Sequence, residues 1–210
     1  MKISAVFLKK PKRKKLRINA SETDKSLLII FLTILLSIIC GAMAYIFNRD
    51  AFGGELWNAF VSYLTNRGGK TFAELFSGLY IINLFTLILL SIFGTSSFGL
   101  IPTLTTVIAR TLGIGTIGAY LFMCYSFTGL KYYYMVILPG KVLMLFGLLL
   151  AAQNSIQTSR RINQALDGKT GENVDKRMYT IRSLVCAIIF AVSALIDTLL
   201  IIFASEKFIF

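Results

Sequence analysis

The sequence contains no histidine and only three cysteines, and each of these two shortages excludes a class of site. Without histidine there is no Ser-His-Asp or Cys-His catalytic triad and no imidazole-bound zinc. Cys40, Cys124 and Cys186 each lie within an apolar run and are too few for a disulfide framework. We therefore predict no catalytic residue, no cofactor and no metal site, and a protein that is not an enzyme.

Charged residues are also scarce, at 15% of the 210 residues, whereas ordinary globular proteins contain roughly a quarter. Hydrophobic residues make up 56%, and the mean hydropathy is +0.72. A soluble protein of this size needs more polar side chains than this to cover its surface. The composition predicts an integral membrane protein.

Five segments are long and apolar enough to cross the roughly 30 Å hydrocarbon layer, which takes about 20 residues of helix. Lipid offers no partner for unpaired backbone groups, so we expect helices throughout and an all-α polytopic membrane helical bundle. The predicted spans are residues 26–47, 80–101, 111–130, 133–153 and 183–204, within one transmembrane domain of residues 26–204.

An apolar stretch between the second and third spans ends near Arg110 and is too short to cross the bilayer alone. Gly99 precedes this stretch, and Pro102 lies near its start. Both residue types commonly interrupt helices. We therefore predict a short elbow helix here, either interfacial or re-entrant.

The basic residues predict the orientation of the chain. Sixteen lie in the arm of residues 1–25, the loop of residues 154–182 and the elbow, against five in the loop of residues 48–79, at Lys131 and in the tail of residues 205–210. Because basic loops stay in the cytoplasm, we expect a cytoplasmic N-terminus and an extracytoplasmic C-terminus in the cell membrane. The basic arm fits anionic membrane lipids better than nucleic acid, since no aromatic residues are interleaved with its charges.

A cleaved signal peptide is the competing interpretation of the first span. The basic start, the apolar core and Ala42-Met43-Ala44 resemble one. However, the basic region is longer than in a typical signal peptide, and the apolar run continues to Phe47, past the point after Ala44 where cleavage would occur. We favour a retained span.

The extracytoplasmic loop of residues 48–79 has apolar residues at helical spacing. They predict short amphipathic helices that lie on the outer leaflet or fold over the bundle. The same loop is a candidate docking surface for a partner, with Trp57, Phe60 and Tyr63 as anchors, because buried aromatic residues dominate binding hot spots. The two interpretations are compatible.

Two charged residues, Lys141 and Asp197, lie inside predicted spans at matched depth, roughly 10–12 Å from the outer ends at about 1.5 Å rise per residue. Charges in a membrane are costly and usually paired, so we predict a buried ion pair, or one polar cavity shared with Asn83. A structural pair, a substrate or ion pathway, and snorkelling of the two side chains to the surface remain open.

Small residues recur at helical spacing in the last three spans, where they let helices approach closely. They predict tight packing of these spans, and homodimerisation through one such stripe stays possible. Gly113-x-Gly115-x-x-Gly118 lacks the strand and the acidic residue of a dinucleotide-binding site. The predicted packing residues are Gly113, Gly115, Gly118, Ala119, Gly147, Ala151, Ala187 and Ala191.

The order of these features resembles the stage II sporulation protein M family. A basic arm, one span and an extracytoplasmic segment of about 30 residues precede Gly99-Leu100-Ile101-Pro102, the elbow, the glycine-rich span and Leu138-Pro139-Gly140. The resemblance implies a non-enzymatic membrane component of the machinery that remodels peptidoglycan during forespore engulfment. It also implies two extracytoplasmic partners, an amidase and a lytic transglycosylase.

Two other functions compete with that of a scaffold that positions such hydrolases. The first is the permease subunit of an ATP-driven transporter, for which the polar lining of the spans is thin. The second is a membrane-embedded enzyme acting on lipids, for which Asp197 has no acidic companion.

Overall fold

The computed structural model describes residues 20–47, 71–166 and 176–205, and its regular structure there is entirely helical. Within these residues the tertiary arrangement is built from five helices, with one π-helical segment, Tyr133–Ile137, between the third and the fourth. They are α1 (Ala20–Phe47), α2 (Phe72–Gly94), α3 (Leu100–Tyr132), α4 (Leu138–Leu166) and α5 (Lys176–Ser205).

The chain reverses direction within α3, at Ser126. This residue has φ 54° and ψ −135°, a backbone conformation outside the helical region. The Tyr133 hydroxyl donates a hydrogen bond to the Ile114 carbonyl at 3.3 Å, although 19 residues separate them. In a straight helix these residues would be roughly 28 Å apart. Residues 100–125 and the chain after Ser126 are therefore two antiparallel arms of a hairpin.

Four continuous helical stretches in the described part of the chain are long and apolar enough to cross a membrane: 25–47, 72–94, 100–166 and 177–203. The third stretch joins α3, the π-helical segment and α4. The fold class predicted from sequence, an all-α membrane helical bundle, is confirmed. The third of the four has 67 residues, about 100 Å if straight, and folds back at Ser126. That reversal is compatible with five crossings, a number that stays a prediction.

The second helix begins eight residues before the predicted span. The Thr71 backbone N–H donates to the Glu74 carboxylate at 3.0 Å, as in a capping box, and α2 then runs without a break to Gly94. The end of the loop of residues 48–79, where short amphipathic helices were predicted, therefore does not form a separate helix. It forms the first turns of α2.

The predicted elbow is not a separate helix either. Residues 100–110 are the first three turns of α3 and continue into the glycine-rich span. Pro102 is tolerated because it lies in the first turn, where its missing N–H has no carbonyl to bond within the helix. The interruption lies earlier, in the turn of residues 95–99 that ends at Gly99.

All five helices contribute to one core. Ile30, Leu90, Val107, Leu148 and Phe190, one from each helix, are at most 1% exposed. The outside of the bundle is apolar as well, with Leu, Ile and Phe side chains exposed along every helix. Such a continuous apolar exterior suits lipid rather than water.

The first helix packs mainly against α3, a pairing that was not predicted from the sequence. A Cβ on Gly41 would collide with the main chain of Leu112, and a Cβ on Gly115 with the main chain of Ile38. The two backbones are therefore in direct contact at these glycines, as in small-residue packing of membrane helices.

The predicted loop of residues 154–182 is helical in its described parts, because α4 extends to Leu166 and α5 starts at Lys176. Its beginning is not exposed to solvent. Asn154 and Ser155 are 9% and 1% exposed, because α4 stays against α2, α3 and α5 at this end of the bundle.

Candidate functional site

The structure brings Lys141 of α4 and Asp197 of α5 together inside the bundle. The Lys141 Nζ lies 2.7 Å from the Asp197 Oδ2, and the two side chains are only 15% and 6% exposed. A lone charge at this depth would be costly, and the two opposite charges compensate each other. The pair therefore ties α4 to α5.

The glycine next to Lys141 makes room for the carboxylate. A Cβ built on Gly140 would coincide with the Asp197 side chain, so only glycine lets the acid lie against α4. The Ser193 hydroxyl donates to the Gly140 carbonyl at 2.8 Å, one helical turn from Asp197. This contact is a second tie between the same two helices.

Pro139 shapes α4 just before this contact. Proline has no N–H, and its ring crowds the carbonyl four residues earlier, which favours a local widening of the helix. The widening is the π-helical segment Tyr133–Ile137, and the Leu138 N–H accordingly bonds to the Tyr133 carbonyl, five residues back. Two neighbouring residues thus have different effects: Pro139 favours the π-helical segment before it, and Gly140 lets α5 come close to α4.

The second oxygen of Asp197, Oδ1, is buried and has no hydrogen-bond partner among the described residues. A buried carboxylate oxygen without a donor is unfavourable by itself. Lys141 must therefore supply most of the compensation for this charge. The pair depends on both members, which makes it sensitive to the loss of either one.

Asn83 does not join this pair but forms a second polar contact. Its Oδ1 accepts a hydrogen bond from the Arg110 Nη2 at 2.7 Å, linking α2 to α3. Arg110 was predicted at the end of an interfacial elbow. Because α3 starts at Leu100, Arg110 instead lies about 15 Å along the helix and contacts the middle of α2.

The turn between α2 and α3 is held by polar side chains of α4. Ser159 Oγ and Asn163 Nδ2 both donate to the Ser97 carbonyl, at 3.3 and 2.9 Å. Thr103 and Ser155 hydroxyls are 2.8 Å apart in a fully buried contact. We name these five residues the turn clamp.

The turn clamp was missed in the sequence, although a signal was present. Asn154, Ser155, Thr158 and Ser159 are small polar residues spaced to lie on one face of a helix, and all four are buried. Such a face at the end of an apolar span indicates a helix that continues inside the bundle rather than a loop.

A family model described as Stage II sporulation protein M matches residues 26–200. The match covers all five helices for most of their length. The chain belongs to the stage II sporulation protein M family. This is a family of membrane proteins that is not known as enzymatic, and the chain is accordingly a multi-pass membrane protein. A search of curated proteins and a search of solved structures each found no match.

Several small residues within the family match lie at helix contacts. A Cβ on Gly147 would come within 2.9 Å of the Phe190 ring, so this glycine brings α4 close to α5. A Cβ on Gly118 would come within 3.3 Å of the Tyr133 ring across the hairpin. Ala151 is 5% exposed in the core. The other predicted packing alanines, partly buried, are Ala119, Ala187 and Ala191.

Gly113 differs from the predicted packing glycines Gly115, Gly118 and Gly147, which lie against neighbouring helices. A Cβ built there meets no atom within 4 Å, because the residue does not face a neighbouring helix. The prediction that Gly113 packs against another helix is therefore wrong.

The predicted docking residues Trp57, Phe60 and Tyr63 lie outside the described residues. Among the residues that are described, no group of three or more Cys, Asp or Glu side chains is placed to hold a metal ion. The chemistry offered by the described bundle is thus the mutual fixing of helices by the Lys141–Asp197 pair, the Arg110–Asn83 contact and the turn clamp.

Proposed function

We propose that this chain is a non-enzymatic integral membrane scaffold that anchors or positions peptidoglycan hydrolases during sporulation engulfment. Its membership of the stage II sporulation protein M family, over residues 26–200, is the observation that carries the proposal. The proposed partners are an amidase and a lytic transglycosylase on the extracytoplasmic side.

The arrangement of charges inside the bundle supports a holding role. Lys141 and Asp197 contact each other across two helices, and Arg110 contacts Asn83 across two more. Charged groups that lie against one another stabilise a fixed arrangement of helices. A transport pathway needs polar groups that face a shared route through the protein.

The loop of residues 48–79 is the proposed site at which the hydrolases dock. It is the longest segment on the predicted extracytoplasmic side, and Trp57, Phe60 and Tyr63 are residue types that dominate protein interfaces. The bundle then anchors this loop, while catalysis belongs to the partners.

Deletion of the gene in its own host tests the physiological part of the proposal. We expect forespore engulfment to stall, with the septal membrane failing to migrate, and a plasmid copy of the wild-type gene to restore it. Completion of engulfment in the deletion strain, or a host that forms no spores, would contradict the sporulation role.

Reconstitution separates the scaffold from a permease subunit. The purified chain in vesicles should neither hydrolyse peptidoglycan nor carry small solutes across the bilayer by itself. Co-purification of a nucleotide-binding ATPase subunit with the chain would favour transport and overturn the scaffold proposal.

A further inference from the structure

A groove of about 320 Å³ lies between α4 and α5, at the end of the bundle that carries the turn clamp. Its walls combine two kinds of side chain. Leu150 and Val185 form apolar walls, whereas Gln153, Gln157 and Arg182 provide polar groups. A site with these two parts suits an amphiphile better than a wholly polar or wholly apolar ligand.

Arg182 is held at the polar end of the groove. Its Nη1 donates to the Gln157 Oε1 at 3.3 Å, which orients the guanidinium along the neighbouring helix. A guanidinium has five N–H donors in a planar fork that matches the oxygens of a phosphate. The oriented fork is thus suited to a phosphate group.

Among the described residues, the charged side chains at this end of α4 and α5 are basic. Arg160, Arg161 and Arg177 lie on the same ends of α4 and α5 as Arg182. No Asp or Glu occurs between residues 75 and 166 or between residues 176 and 196. Three acids, Asp167, Glu172 and Asp175, lie in the segment that joins the two helices, outside the described residues. Residues 160–182 contain six basic residues against these three acids, so the net charge at this end is positive and complements an anionic ligand.

The groove opens towards an apolar exterior. Val185 is 46% exposed although it lines the groove, and its neighbours Ile181 and Leu184 are 49% and 59% exposed. In a membrane protein such an apolar mouth faces lipid, so a ligand with an acyl chain can enter sideways. Basic pockets between membrane helices are known to take anionic headgroups.

We propose that the groove binds one anionic phospholipid, with its phosphate at Arg182 and an acyl chain along Leu150 and Val185. This site is separate from the proposed docking of hydrolases and does not depend on it. By bridging α4 and α5 near the turn clamp, the lipid would add to the contacts that hold these helices together.

Native mass spectrometry of the purified protein with added phosphatidylglycerol tests this site. We expect the wild type to bind one phosphatidylglycerol at least tenfold more tightly than phosphatidylcholine, because only the former has a net negative charge for Arg182. The Arg182→Gln variant should lose about tenfold or more of this affinity. The Arg160→Gln variant is the matched control, since it removes a charge nearby without changing the lining, and it should bind as the wild type does.

A second variant fills the groove and leaves every charge in place. Val185→Trp should also abolish preferential binding, and this exposed position tolerates a large side chain without unfolding the bundle. It keeps the test decisive if Arg182→Gln fails to fold.

Three results would overturn the proposal. Equal losses in Arg160→Gln and Arg182→Gln would mean diffuse attraction to the basic end rather than a site. Unchanged binding in Val185→Trp would place the lipid elsewhere. Competition by soluble glycerol phosphate at the same concentration as the lipid would assign the groove to a free phosphate compound.

Discussion

The Asp197 carboxylate occupies the space where a side chain on Gly140 would begin. The acid of α5 can thus reach Lys141 only because the preceding residue of α4 is a glycine. Gly140 and the ion pair beside it are one structural unit, in which a missing side chain on one helix accommodates a charge on the other.

Gly140→Ala should therefore destabilise the bundle by roughly 2–4 kcal/mol, because the added methyl group displaces Asp197 and weakens its contact with Lys141. The measurement is the midpoint of thermal unfolding in detergent. Gly113→Ala is the matched control, since a Cβ there meets no atom and alanine favours helix by about 1 kcal/mol. Equal midpoints for the two variants would show that the close approach at Gly140 contributes nothing.

Reversal of one charge of the ion pair should be far worse than exchange or replacement of both. Lys141→Asp or Asp197→Lys alone should cost at least about 3–5 kcal/mol, because each places two like charges in contact inside the bundle. The swapped double variant should recover a large part of that loss in the same unfolding measurement. The apolar pair Lys141→Met with Asp197→Leu should lie close to the wild type. If the swap shows no rescue, the pairing does not stabilise the fold.

Ser126 holds a backbone conformation that disfavours an L side chain, with φ at 54°. Ser126→Gly should stabilise the hairpin by about 1 kcal/mol, because glycine adopts positive φ without the steric penalty. Ser126→Ala keeps the Cβ and should give no such gain. A higher unfolding midpoint for the alanine variant than for the glycine variant would exclude backbone strain as the reason.

Hydropathy and charge spacing were sufficient to predict the helical membrane class and the contact between Lys141 and Asp197. The predicted spans of residues 111–130 and 133–153 place a reversal at residues 131–132, whereas the structure has it about five residues earlier, at Ser126. The exact position was missed because Ser126 is neither glycine nor proline, and Gly129, where a Cβ would collide with the Leu121 carbonyl, resembles any other packing glycine of a span. The sequence patterns also predicted an elbow at Pro102, where a proline in the first turn of a helix is in fact well tolerated. The contact of α1 with α3 depends on which backbones meet, a question of tertiary packing that a single sequence does not answer.

The predicted orientation can be tested with single cysteines at the two ends of α2. In a cysteine-free background, Thr71→Cys should react with a membrane-impermeant maleimide on intact cells, whereas Ser96→Cys should react only after permeabilisation. Both positions are exposed in the structure, so accessibility to solvent does not separate them. The opposite labelling pattern would invert the topology inferred from the basic residues.

The most direct measurement of the central claim is quantitative mass spectrometry of the proteins cross-linked to the tagged chain in host membranes. We predict that an amidase and a lytic transglycosylase co-purify with the wild type about tenfold or more above the Trp57→Ala, Phe60→Ala, Tyr63→Ala triple variant, at equal levels of inserted protein. Equal recovery of hydrolases with both chains, or recovery of neither hydrolase with the wild type, would contradict the scaffold.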